Sequence, residues 1–220
     1  MMKIYNFYII TILCLLLSLY TNGQNTFKEK SDPEATKILK NLKKTFSTYD
    51  AIEIEYLLEI ENGEDKELQK GKILQQGDKY RITNNGNIII NDTKTVWMYI
   101  KKQNEVQVND YDSEDDSGFT PAQIFNIDEN DNEFFYAITG EDSHGYSIEF
   151  KPLDSEYDFK KLRIKVNKNQ TNISSIKIFQ DDGSRMTFIV KNINNAKPSK
   201  TSFRFNKENY PGVKEVDLRD

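Results

Sequence analysis

The sequence is poor in the side chains that most catalysis and metal binding require. It holds one cysteine, Cys14, and one histidine, His144. Cys14 sits inside the apolar run 9–17, after the charged start Met1-Met2-Lys3 and before Thr21-Asn22-Gly23-Gln24. That succession reads as a signal peptide, residues 1–23, cut after Gly23, and the apolar run is short for a membrane span. The exported remainder, residues 24–220, then carries no cysteine, which excludes a disulfide framework, a thiol nucleophile and a cysteine metal site. A lone histidine excludes a histidine metal cluster, and His144 falls between Ser143 and Gly145 in an expected loop. No Gly-x-Ser-x-Gly, phosphate-binding loop or His-Glu-x-x-His pattern occurs. The chain reads as a protein without cofactor or metal, and not an enzyme.

Positive charge is also in deficit, with 30 Lys and Arg against 35 Asp and Glu and a net charge of -5. Loss of the leader removes Lys3 and no acid, so the exported chain reads as -6. Charges spread in this way exclude a nucleic-acid backbone as partner. The acids themselves form two patterns. Asp112, Glu114, Asp116 and Gly118 resemble a calcium loop but lack its glycine at position six and its glutamate at position twelve, where Gln123 stands. Glu53, Glu55, Glu59 and Glu61 alternate strictly, which fits a water-facing strand surface better than a glycosidase pair.

What the chain does have is periodicity. Asp32-Pro33-Glu34 is a helix start, with Asp to cap the free amides and Pro at the first helical position. Ala35, Ile38, Leu39, Leu42 and Phe46 then recur at helical spacing, predicting a helix near 33–47. From Ala51 the period becomes two, and Ile52, Ile54, Tyr56, Leu58 and Ile60 predict a half-buried strand before the turn Asn62-Gly63. The same grammar of short apolar runs and Asn-, Asp- or Gly-rich turns continues to the C-terminus. It predicts about eleven strands, mostly joined as hairpins, in one large antiparallel sheet curled into an open half-barrel. Phe119 to Ile127 interrupts the meander with spacing that fits a short helix near 120–127.

Aromatic and branched residues are in surplus on the predicted strands. Tyr80, Ile82, Ile88, Ile90, Trp97, Tyr99, Phe134, Tyr136, Tyr146, Ile148 and Phe150 fall at period-two spacing and read as one apolar face. Only the helix near 33–47 and the segment near 120–127 are available to cover it, so both read as lids.

Several segments, in order, resemble the periplasmic outer-membrane lipoprotein carrier (LolA) family. Asp32 to Asp50 is similar to its first helix, and Asn91-Asp92-Thr93-Lys94-Thr95-Val96-Trp97-Met98-Tyr99 to its D-G-K-x-x-W-x-Y strand. Phe119-Thr120-Pro121 resembles the start of its inner lid helix. Gln180-Asp181-Asp182-Gly183 is similar to its late hairpin, and Phe203-Arg204-Phe205 with Tyr210-Pro211-Gly212-Val213 to its C-terminal motif. The resemblance implies a monomeric, non-enzymatic periplasmic chaperone that holds lipoprotein acyl chains in an apolar cavity. Its implied partners are an inner-membrane lipoprotein-extracting transporter and an outer-membrane acceptor. The implied cavity lining is Ile38, Leu42 and Phe46 from the first lid, Phe119, Ile124 and Phe125 from the second, and Tyr80, Ile82, Ile90, Trp97, Tyr99, Ile148 and Phe150 from the sheet. Many members latch the lid with an arginine followed by proline at the end of the second strand. That position is Gln76 here, followed by Gly77. A neutral amide lacks the charge-assisted bonds of a guanidinium, so the family's gating is not carried over. The alternative role on the same half-barrel is a lipid- or lipoprotein-sensing regulatory module.

Overall fold

The computed structural model describes residues 31–111, 133–153, 157 and 159–219. Helix α1 (Pro33–Phe46) opens the described chain, and the spacing of its apolar residues matches what it buries: Ala35, Ile38, Leu42 and Phe46 all face inward. Its start is fixed twice. Asp32 Oδ1 accepts from Glu34 N at 2.8 Å, and Asp32 N donates to Tyr136 O at 2.9 Å, which ties the helix to the sheet's edge strand. Lys43 and Lys44 fall in the last turn, where the helix dipole favours cations.

Twelve strands follow among the described residues: β1 (Ile52–Asn62), β2 (Asp65–Gln76), β3 (Lys79–Asn84), β4 (Asn87–Asn91), β5 (Thr95–Ile100), β6 (Glu105–Asp110), β7 (Phe134–Glu141), β8 (Gly145–Pro152), β9 (Phe159–Asn167), β10 (Ile173–Gln180), β11 (Arg185–Asn195) and β12 (Lys214–Asp217). They form one sheet in the order β12-β6-β5-β4-β3-β2-β1-β11-β10-β9-β8-β7, open at β12 and β7. Two antiparallel meanders, β1–β6 and β7–β11, are therefore welded by the β1–β11 pair, which joins residues more than a hundred positions apart. The open, helix-covered sheet of the half-barrel is present with one strand more than expected. The additional strand, β12, pairs parallel with β6, Lys214 opposite Glu105, and so has no hairpin turn to announce it.

Registers assign every side chain to one of two faces. The inner face, on which α1 lies, carries Leu58, Phe188, Ile176, Ile164, Ile148 and Ile138 as one row across β1 and β11 to β7. Most of the row is buried, and it packs with Ile38, Leu42 and Phe46 in a single core. A bulge between Glu55 and Tyr56 lets β11 place Val190 and Ile193 both on this face.

The opposite, outer face has its own core. Ile88, Ile90, Tyr99 and Val106 are buried beneath Phe203, with Leu74, Trp97, Phe205, Tyr210 and Val213 packed around them. Its cover is the C-terminal segment, whose rings lie tilted against Tyr99 at 5.8 Å (Phe205) and 4.4 Å (Tyr210) between centroids. Tyr99 Oη donates to Asn104 Oδ1 at 3.1 Å while Asn104 Nδ2 donates to Pro211 O at 3.1 Å, which pins that cover at the β5–β6 turn.

Candidate functional site

The expected single apolar face is divided by the register. Tyr80 pairs with Asn91 and Ile82 with Ile89, whereas Ile90 pairs with Arg81 and with Trp97. Directly paired residues point to the same side of a sheet. Tyr80 and Ile82 are therefore on the inner face, and Ile88, Ile90, Trp97 and Tyr99 on the outer one. This corrects the sequence reading. The two-residue turn Asn85-Gly86 sets even-numbered residues of β3 opposite odd-numbered residues of β4, so equal spacing along each strand does not mean a shared face. Ile90, at 0% exposure, fills the core beneath the C-terminal segment and does not border the inner face.

The inner face differs between its two halves. Over β7–β11 it is filled: Ile148 and Phe150 are fully buried under Ile38, Leu42 and Phe46. Over β1–β5 a second row runs Ile54, Ile73, Ile82, Ile89, Met98, each residue the direct partner of the next. Burial falls along it. Ile54 and Ile73 are 2% and 1% exposed, Ile82 and Ile89 are half-buried, and Met98 is 39% exposed. Four isoleucines and a methionine thus make an apolar strip that leaves the packed core and opens toward β5. The flexible thioether at the open end adapts to irregular apolar shapes.

A parallel row, Gln75, Tyr80, Asn91, lies one pleat away on the same face. Gln75 and Asn91 are buried polar side chains. On the other flank of the strip, Tyr56 lies across Gly71, whose missing side chain makes room for the ring. Burial pushes the Tyr56 hydroxyl up to about 12, so it stays protonated. It donates to Thr83 O at 3.4 Å. A groove of about 550 Å³ beside it is lined by Tyr56, Leu57 and Gly71 together with Glu55, Lys70 and Lys191 among others.

Gln76 is exposed at the end of β2, and its Nε2 donates to Asp50 O at 3.1 Å. It thereby ties β2 to the turn between α1 and β1. The expected second-lid residues Phe119, Ile124 and Phe125, and the calcium-like stretch Asp112 to Gly118, lie outside the described residues, as does the leader. The glutamate row is on the outer face, with Glu53 and Glu61 paired to Lys72 and Lys66 at 2.9 Å each, as a water-facing strand surface requires. His144 is in the β7–β8 turn with its side chain 93% exposed, beside Asp142. Among the described residues no group of three or more His, Cys, Asp or Glu side chains is placed to hold a metal, and no helix is long and apolar enough to cross a membrane.

An open sheet, antiparallel except for β12, with an apolar inner face and a helix laid on it defines a half-barrel fold. The chain belongs to the outer membrane lipoprotein carrier protein LolA family, whose model matches residues 59–206, more than half of its length. No curated protein matches it by sequence. Among solved structures, an uncharacterised conserved protein of Thermus thermophilus superposes with a TM-score of 0.54 at 11% identity, covering 84% of this chain and 99% of that one. A LolA superfamily protein of Nitrosomonas europaea gives 0.43 at 10% identity, covering 78% and 97%. A Vibrio parahaemolyticus domain described as a putative outer membrane lipoprotein-sorting protein gives 0.45 at 9%, covering 80% and 97%.

Proposed function

We propose that the protein is a periplasmic carrier that shelters the acyl chains of lipoproteins on its inner face and ferries them toward the outer membrane, without catalysis. The observation that carries this reading is the apolar strip Ile54, Ile73, Ile82, Ile89, Met98, continuous with the core at one end and open at the other. Each buried methylene gains about 0.8 kcal/mol, so a chain of roughly sixteen carbons left in water costs on the order of 12 kcal/mol. A strip of branched aliphatic side chains removes most of that cost without polar bonds that would hold the cargo back. Tyr80, Ile82, Ile89 and Met98 are the lining this reading assigns on the sheet. Ile38, Leu42, Phe46, Ile148 and Phe150 form its packed floor, and Phe119, Ile124 and Phe125 remain assigned to a second lid. On this reading the partners are an inner-membrane extractor and an outer-membrane acceptor.

Native mass spectrometry of the protein isolated from the periplasm tests this directly. Co-purified acylated lipoprotein, together with lipoproteins retained at the inner membrane when the gene is deleted, is the expected result. Deletion that alters transcription while lipoproteins sort normally would replace the carrier with the sensing module.

A further inference from the structure

We propose that the cavity between β3 and the C-terminal segment binds a phosphate monoester through Arg81 and Arg204. It lies on the outer face, away from the apolar strip, and does not depend on the carrier reading. The cavity holds about 330 Å³ and is lined by Arg81, Thr201, Arg204 and Asn209, with the rings of Phe205 and Tyr210 as a wall. That volume is within the range of small-molecule sites, roughly 300–1,000 Å³. No carboxylate of the described residues lines it.

Arg81 is half-buried and pairs directly with Leu74 and Ile90, so it rises from the outer face among the apolar side chains of that core. Its hydrogen bonds are long and reach only neutral oxygens: Nη1 donates to Ser202 O at 3.4 Å and Nη2 to Tyr210 Oη at 3.5 Å. A charge drawn out of water is ordinarily matched by an opposite one. Other cations follow that rule. Arg163 pairs with Glu149 and Arg219 with Asp217, and in the C-terminal segment itself Lys207 pairs with Glu215 at 2.6 Å and Lys214 with Glu105 at 3.0 Å. Arg81 and Arg204 have no ion-pair partner among the described residues. Two guanidinium groups thus line one cavity without a counter-charge, in a chain whose net charge is -5.

The donors are held in place by the backbone. Ser202 N donates to Ser199 O at 3.1 Å and Arg204 N to Thr201 O at 3.2 Å, while Asn209 N donates to Asn206 O at 3.1 Å. A phosphate monoester carries about -1.5 to -2 near neutral pH and presents three acceptor oxygens, which suits two guanidinium forks. A carboxylate has one charge and two oxygens, and a single fork satisfies it. Thr201 Oγ1 lies 3.1 Å from Ser199 Oγ, and with Ser199 as donor the Thr201 proton is free for a third oxygen. The Phe205 and Tyr210 rings, stacked at 4.7 Å and 14°, give the carbon side of the ester a flat apolar surface.

The test is a titration of the ¹⁵N-labelled protein with glycerol 3-phosphate, and separately with acetate, followed at the arginine Nε–H signals. Shifts at Arg81 and Arg204 alone among the five arginines, saturating at lower glycerol 3-phosphate than acetate, are the expected result. Arg204→Gln removes an exposed charge, and Arg81→Lys keeps charge and stem but loses the fork. Each is expected to weaken binding about tenfold, whereas Lys165→Gln, an equal loss of charge on β9, leaves it unchanged. Flotation with phosphatidylcholine vesicles, with and without phosphatidic acid, identifies the source. Flotation that requires phosphatidic acid and Arg204 assigns the phosphate to a lipid headgroup, and glycerol 3-phosphate binding without flotation assigns it to a soluble ester. If neither probe binds, if acetate binds as well as the ester, or if Lys165→Gln weakens binding as much as the arginine variants do, the site is overturned.

Discussion

Glu149 shows how one buried carboxylate organises the outer face of the second meander. It is 7% exposed, and it accepts from Lys161 Nζ at 3.2 and 3.1 Å and from Arg163 Nε at 2.8 Å. Burial opposes its charge, and the hydrogen bonds from Arg163 and Lys161 outweigh that burial, so the carboxyl is held below the usual range. A depressed native pKa stabilises the fold above the unfolded-state value, and that contribution disappears as pH falls through the native one. Glu149→Gln is therefore expected to lower stability by about 1–3 kcal/mol at pH 7 and to flatten the acid limb of a urea-midpoint profile. An unchanged acid limb would show that Glu149 does not titrate with folding. Gly71 makes a steric prediction of the same kind. A Cβ there would sit 2.1–2.5 Å from the Tyr56 ring, so Gly71→Val is expected to cost about 1–3 kcal/mol by chemical denaturation.

At the scale of elements, α1 was legible because its signals are local. The Asp32-Pro33 start and the 35-38-42-46 stripe lie within one segment, and the observed helix ends at Phe46. The alternation in β1 was legible for the same reason. Face assignment in β3–β5 was not, because Ile88-Ile89-Ile90 is apolar on both faces and its parity depends on the turn before it. With the register known, the two-residue turn at Asn85-Gly86 accounts for the split. The outer cover was missed because Phe203, Phe205 and Tyr210 reach β4–β6 from about a hundred residues away, and nothing in their local pattern says which strands they meet. Two element-level outcomes follow. Ile38→Ala, at a fully buried helix position, is expected to cost about 2–5 kcal/mol in a denaturant titration, and Asp32→Ala about 1 kcal/mol through the lost cap.

The whole molecule is one sheet with two differently employed sides. The outer side is closed, by salt bridges over one part and by the C-terminal segment over another. The inner side is filled by α1 over β7–β11 and bears an apolar strip over β1–β5. Truncation after residue 196 would uncover Ile90 and Val106 and is expected to raise binding of a hydrophobic dye without creating selective acyl binding. The central claim concerns which side meets the cargo. Ile89 and Trp97 separate the alternatives, since Ile89 belongs to the inner strip and Trp97, on the next strand, to the outer core. A photo-crosslinking amino acid placed in vivo at position 89, and separately at position 97, reads out the side in a single gel. Crosslinks to acylated lipoproteins from position 89 and none from position 97 are the predicted result, and crosslinks from position 97 alone would contradict an inner-face carrier.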